Sequence, residues 1–260
     1  MAVAYKIMDD VANRAAFDIF ARLDPATIAL LLDVDGTLVD IAASPSAVTV
    51  SDTLMQTLAR LYDRTGGALA LVSGRPVRDL DTLFSPLTLP AIGGHGAEMR
   101  VGPDRKIVCA ANLPEPLRRS LIEAATPDSG IEYEDKGYSV ALHYRKAPAH
   151  EAKLRAHVAA SLAAWPAERT EVLPGKAVFE VKRPDIDKGA GVRALMMQKP
   201  FAGRVPVFIG DDVTDEAVFT AMPELGGKAF AVGRNFPGLT GIFSAPGEVR
   251  LALRRLAGFE

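Results

Sequence analysis

Apolar residues fall into short continuous runs separated by stretches with helical spacing. Ile28-Ala29-Leu30-Leu31-Leu32 is five residues with no polar position, the pattern of a strand covered on both faces. Ser51 is placed to cap a helix carrying Leu54, Leu58 and Leu61 on one side and ending near Gly66-Gly67. Ala68 to Val72 is a second apolar strand, stopping at Ser73-Gly74-Arg75, and Pro76 opens a helix through Leu80 and Leu83. A further short strand leads to Gly93-Gly94-His95-Gly96. This βαβα rhythm predicts a parallel sheet with helices on its faces.

The rhythm changes in the middle of the chain. Met99 to Val108 reads as a hairpin turning at Gly102-Pro103-Asp104. A helix over 114–125, strands over 131–134 and 139–144, a helix over 150–162 and strands over 170–173 and 178–181 follow. That order is αββαββ, an antiparallel α+β unit. After Pro184 the parallel rhythm resumes: a helix from Lys188, a strand over 205–209, a helix over 215–222, a strand over 229–232 and a last helix over 246–256. The expectation is an α/β fold: a Rossmann-like core of residues 1–110 and 185–260, with a cap inserted at 111–184.

Composition narrows the classes. The 260 residues are 48% hydrophobic and 24% charged, the make-up of a globular protein with a real core. A net charge of −2 gives no electrostatic case for nucleic acid or an anionic membrane. Met1 to Ile7 lacks the apolar core of a targeting segment, and no run approaches the roughly 20 apolar residues that span a bilayer. The single cysteine, Cys109, excludes an internal disulfide framework and reads as a packing residue in a cytoplasmic protein. Nothing points to an obligate protein partner.

The candidate chemistry sits where apolar runs stop. Asp33-Val34-Asp35-Gly36-Thr37 follows the first run, and Asp33 and Asp35 share a face if the strand continues through both. Ser73 ends the second run, Lys188 opens a helix, and Asp211, Asp212 and Asp215 follow the 205–209 strand. Taken singly, each has a plain alternative: a turn, a solvated helix face, a helix cap. Together they supply carboxylates for a divalent cation, an ammonium and a hydroxyl for a phosphate, and a nucleophile once the anion is neutralised. In the insert, Glu134, Lys136, His143, Arg145, Lys176 and Glu180 place both acceptors and donors on neighbouring strands and their turns. They suit a polyhydroxylated ligand or, equally, ordinary cross-strand ion pairs. His95 and His143 fit a structural role or a site role.

The motifs D-V-D-G-T-L, L-V-S-G-R, D-K-G and G-D-D-V-T-D-E, in that order, resemble those of the haloacid dehalogenase-like phosphatases. The resemblance implies Asp33 as nucleophile, Asp35 as general acid and base, and Ser73 and Lys188 on the phosphate. It implies Mg²⁺ held by Asp33, the Asp35 carbonyl and Asp211, with Asp212 and Asp215 in support. E-x-K, H-Y-R, G-K-x-x-x-E and G-G-H-G-A-E resemble the trehalose-6-phosphate phosphatases in particular. That likeness implies a phosphorylated disaccharide as substrate and Glu134, Lys136, Arg145, Lys176 and Glu180 as contacts to its hydroxyls. Sucrose 6-phosphate or mannosyl-3-phosphoglycerate as substrate, a phosphomutase, and a non-catalytic sugar-phosphate sensor remain the alternatives.

Overall fold

The computed structural model describes residues 16–41, 48–126, 129–175 and 177–259. The chain divides into two compact units, one built from the described residues up to Val108 and from Asp187 onward, the other from Cys109–Ile186.

The first unit is an eight-stranded sheet. Its strands are β1 (Ile28–Leu32), β2 (Leu69–Val72), β3 (Ala91–Gly93), β4 (Glu98–Arg100), β5 (Val108–Cys109), β10 (Val205–Gly210), β11 (Lys228–Val232) and β12 (Gly241–Phe243). They lie in the order β12-β11-β10-β1-β2-β3-β4-β5. All pairings from β12 to β3 are parallel, and β4 runs antiparallel to β3. The chain steps outward one way from β1 and the other way from β10. The boundary between these two strands is therefore the topological switch point, where open α/β sheets bind ligands.

β1 is apolar throughout because both of its faces are covered. Ile28, Leu30 and Leu32 pack with Leu58 and Leu61 of α1 (Asp52–Arg64), with Leu253 of α7 (Pro246–Leu256), and with Phe20 of a helical stretch over 16–21. Ala29 and Leu31 face Val192 and Leu195 of α5 (Lys188–Met196) and Val218 of α6 (Glu216–Glu224). Ser51 caps α1 by accepting from the Leu54 amide at 3.3 Å. α2 (Val77–Leu83) starts after Pro76, and its first amide donates to Glu98 Oε2 at 2.7 Å. β12 escaped the sequence pattern, because three residues beginning with glycine carry no periodic signal.

The second unit is the αββαββ insert. It comprises α3 (Glu115–Ile122), β6 (Glu132–Asp135), β7 (Val140–His143), α4 (Glu151–Ala163), β8 (Glu171–Gly175) and β9 (Val178–Lys182). Its antiparallel sheet is ordered β6-β7-β9-β8. One face buries Val140, Leu142, Phe179 and Val181 against Leu117, Leu121, Leu154 and Val158 of the helices. Alternation turns the other face polar. Cys109, at the end of two-residue β5, is exposed and in no disulfide, which corrects its reading as a packing residue. Among the described residues no helix is long and apolar enough to cross a membrane. The stretch Met1 to Ile7 lies outside the described residues.

Candidate active site

The strand register brings the carboxylates and the lysine together. Leu32 pairs with Ile209 on one side and Leu71 on the other, so β1, β10 and β2 end nearly level. Asp33 leaves the sheet with its amide still bonded to Ile209 O at 2.9 Å, and Ser73 does the same to Ile92 O at 2.8 Å. In β1 the odd-numbered residues Ala29 and Leu31 face α5 and α6, and Asp33 continues that series. It meets Lys188, the first residue of α5: Lys188 Nζ donates to Asp33 Oδ1 and to Asp215 Oδ1, both at 2.7 Å. Asp187 holds the helix start by accepting from the Ala190 amide at 2.7 Å.

Asp33, Asp211 and Asp215 form an acidic cluster whose ligand oxygens lie within 4.8 Å of one another. Their oxygens are not equally available. Asp215 spends Oδ1 on Lys188 and Oδ2 on the amides of Asp211 and Asp212, at 2.9 and 3.0 Å. Asp33 Oδ2 and Asp211 Oδ1 are buried without a hydrogen-bond partner among the described residues. Two neighbouring carboxyl oxygens that receive no amide or ammonium donor suit a hard divalent cation, which takes oxygen ligands. Gly36, at φ 83°, leaves room for this: a Cβ there would lie 2.0 Å from Asp211 Oδ2. Asp212 is exposed; its side chain accepts from the Val213 amide at 2.6 Å in a capping box with Asp215. It shapes the turn that carries Asp211.

Charge counting explains the titration of the cluster. Burial pushes Asp33 up to about 8, with Lys188 opposing and Asp215 and Asp211 adding to the rise. Burial, and next the charge of Asp215, pushes Asp211 up to about 6. Burial disfavours the Lys188 ammonium, yet the Asp33 and Asp215 carboxylates outweigh it and raise its pKa. One ammonium offsets one carboxylate, so the three-acid cluster keeps surplus negative charge that a bound cation would relieve.

Asp35 departs from the expected arrangement. β1 ends at Leu32 and the chain turns at Gly36, so strand alternation does not carry through to Asp35. Its carboxylate lies outside the acidic cluster and is gripped by Arg75, with Nε to Oδ2 at 2.6 Å and a terminal nitrogen to Oδ1 at 2.7 Å. This fork on Asp35 is the main reason that the already high Arg75 pKa is raised further. Arg75 was within the S-G-R motif but received no role from sequence, because its partner lies forty residues away. Ser73 is buried, and its Oγ accepts from the Arg75 amide at 3.1 Å.

In the insert, Glu134 and Glu180 both pair with Ala141 across the sheet and so share its polar face. Lys136 Nζ lies 3.7 Å from Glu134 Oε2 and 3.5 Å from Glu180 Oε1. His143 Nε2 is 3.6 Å from Glu134 Oε1, beyond hydrogen-bond reach. Ser139, a polar residue of the same stretch to which the sequence assigned no contact of its own, donates to Glu180 Oε1 at 2.8 Å. Arg145 is exposed in the turn after β7. Lys176 lies outside the described residues. The cross-strand ion pairs thus involve Glu134, Lys136 and Glu180, three of the residues expected from sequence to contact sugar hydroxyls.

The profile of the trehalose-phosphatase family matches residues 31–236. Over 224 residues the chain is 42% identical to a probable trehalose-phosphate phosphatase of Sinorhizobium fredii, covering 84% of this chain and 82% of that one. It is 40% identical over 215 residues to the trehalose-6-phosphate phosphatase of Escherichia coli, covering 80% and 78%. Among solved structures, the C-terminal domain of Candida albicans trehalose-6-phosphate phosphatase superposes with a TM-score of 0.71 at 24% identity, covering 95% and 97%, a likeness of fold. By the extent of the matched profile and these identities, the chain belongs to the trehalose-phosphatase family.

Proposed function

We propose that this chain is a Mg²⁺-dependent phosphatase that hydrolyses trehalose 6-phosphate to trehalose and phosphate through an aspartyl-phosphate on Asp33. The observation that carries the reading is Asp33 itself: a buried carboxylate with one oxygen on Lys188 and the other unpartnered, beside an equally unpartnered oxygen of Asp211. The names of the relatives supply the substrate, and the polar face of the insert supports it.

Each group then has a charge-based task. Ser73 and Lys188 hold the phosphate, whose roughly two negative charges would otherwise repel the acids. An Asp33 oxygen attacks phosphorus, and the bond from phosphorus to the sugar oxygen breaks. Asp35 delivers a proton to that oxygen, then takes one from the water that cleaves the phosphoaspartate and frees inorganic phosphate. Arg75 donates to both Asp35 oxygens and so orients the carboxyl, while each oxygen keeps a lone pair that can carry the proton. Asp33, Asp211 and the Asp35 carbonyl would hold Mg²⁺, supported by Asp212 and Asp215; when bound, the ion supplies positive charge that neutralises phosphate oxygens. Glu134, Lys136, Arg145, Lys176 and Glu180 are proposed to recognise the sugar hydroxyls.

The test is phosphate release from trehalose 6-phosphate, sucrose 6-phosphate and mannosyl-3-phosphoglycerate with Mg²⁺ present. A strong preference for the first is expected, and comparable rates on all three would remove the substrate claim. Asp33→Asn is expected to fall by at least about 10³-fold, since the amide is no nucleophile. Undiminished activity in that variant would remove the mechanism.

A further inference from the structure

The turn Gly93-Gly94-His95-Gly96 has no task in the chemistry above, yet it touches two of the segments that carry it. Its backbone is bonded to the Ser73 loop: His95 N donates to Ser73 O at 3.2 Å and Gly94 N to Arg75 O at 2.9 Å. On its other side it meets the start of α5. A Cβ on Gly96 would lie 2.1 Å from Asp187 O, one residue before Lys188. The turn is a spacer between the segment bearing Ser73 and Arg75 and the segment bearing Lys188.

His95 is the odd residue in this spacer. It sits at φ 54° and ψ 31°, a left-handed conformation that its glycine neighbours adopt more readily. Its ring lies on Gly74: a Cβ there would be 2.4 Å from the ring Cε1 and 2.5 Å from Nε2. Gly74 itself has no positive φ, so an alanine would suit its backbone and only the His95 ring excludes it. The ring therefore bears on the residue between Ser73 and Arg75.

We infer that His95 is a positioning residue, whose ring and backbone set the Ser73-Gly74-Arg75 loop against the start of α5 and so fix the spacing between the Ser73 hydroxyl and the Lys188 ammonium. The inference rests on Ser73 and Lys188 being the phosphate-holding groups. A misplacement of about 1 Å in such a pocket is enough to cost about 100-fold in rate.

Four variants test it: His95→Asn, His95→Gly, Gly74→Ala and the Gly74→Ala/His95→Gly double. Thermal midpoint, kcat and KM on trehalose 6-phosphate, and calorimetric affinity for inorganic phosphate with Mg²⁺ are read for each. Asparagine tolerates the left-handed backbone, so His95→Asn should keep a near-wild-type midpoint while kcat/KM drops about 10- to 100-fold and phosphate affinity about tenfold. Gly74→Ala should be impaired on its own, and removing the ring in the double variant should restore part of the loss. Wild-type kinetics and phosphate affinity in His95→Asn, or a double variant losing the product of the two single losses, would overturn the inference. Absence of turnover in the wild-type protein would sink the substrate reading alone, since phosphate affinity still decides His95. A wild type that binds no phosphate would sink both.

Discussion

Mg²⁺ binding should compete with protons at Asp33, and the size of that competition follows from the site. In the metal-free protein burial holds Asp33 up at about 8 and Asp211 at about 6. A cation ligand must be ionised, so binding releases whatever proton the cluster carries. At pH 6 a carboxyl titrating near 8 is ionised in about one molecule in a hundred, so apparent affinity should lie about 100-fold below its plateau. It should climb about tenfold per pH unit between 6 and 8 and level off above that, with Asp211 steepening the slope below 6. The sign for stability runs the other way. Folded Asp33 keeps a proton that an unfolded chain releases near 3.8, so metal-free stability falls as pH rises from about 4 to about 8. Added Mg²⁺ should offset that fall. Calorimetric titration of the wild-type protein at pH 6, 7 and 8, in buffers of different ionisation enthalpy, reads both affinity and protons released. About one and a half protons per ion are expected at pH 6 and about one at pH 7, with the Asp33 share abolished in Asp33→Asn. Mg²⁺ affinity that is flat over this range, with no proton released, would refute the charge argument.

Arg75→Lys keeps the cation but loses the two-pronged grip on Asp35. It should lower kcat about tenfold or more with little change in thermal midpoint, because the pair is partly exposed; unchanged kcat would show that the fork does not orient the acid. Lys188→Met leaves Asp33 and Asp215 buried without their ammonium and should cost about 3–5 kcal/mol in urea unfolding at pH 8, and less at pH 5 where the acids protonate. An equal loss at both pH values would contradict that cause. Glu180→Gln disturbs the carboxylate held by Ser139 and near Lys136. KM for trehalose 6-phosphate should rise about tenfold or more while turnover of p-nitrophenyl phosphate stays level, and a matched loss on both substrates would assign Glu180 a structural role instead.

Local pattern carried much of the fold. β1 could be read because a strand covered on both sides has no polar position, and α1 because Leu54, Leu58 and Leu61 recur at helical spacing after a serine cap. The αββαββ insert was legible for the same reason, since each element fits within a dozen or so residues. The residue types of the site were also visible, as acids, a serine and a lysine where apolar runs stop. Pairing was not. Which oxygen of Asp33 meets Lys188 depends on contacts 155 positions apart, and the grip of Arg75 on Asp35 on contacts forty apart. Strand register decided that Asp33 faces α5, and the turn at Gly36 took Asp35 out of the alternation that sequence assigned it. The amides of Asp211 and Asp212 saturate Asp215 and leave Asp33 and Asp211 with oxygens to spare. Sequence determined which groups reach the end of the sheet; tertiary structure determined which are already satisfied there, because hydrogen-bond satisfaction is a property of neighbours in space.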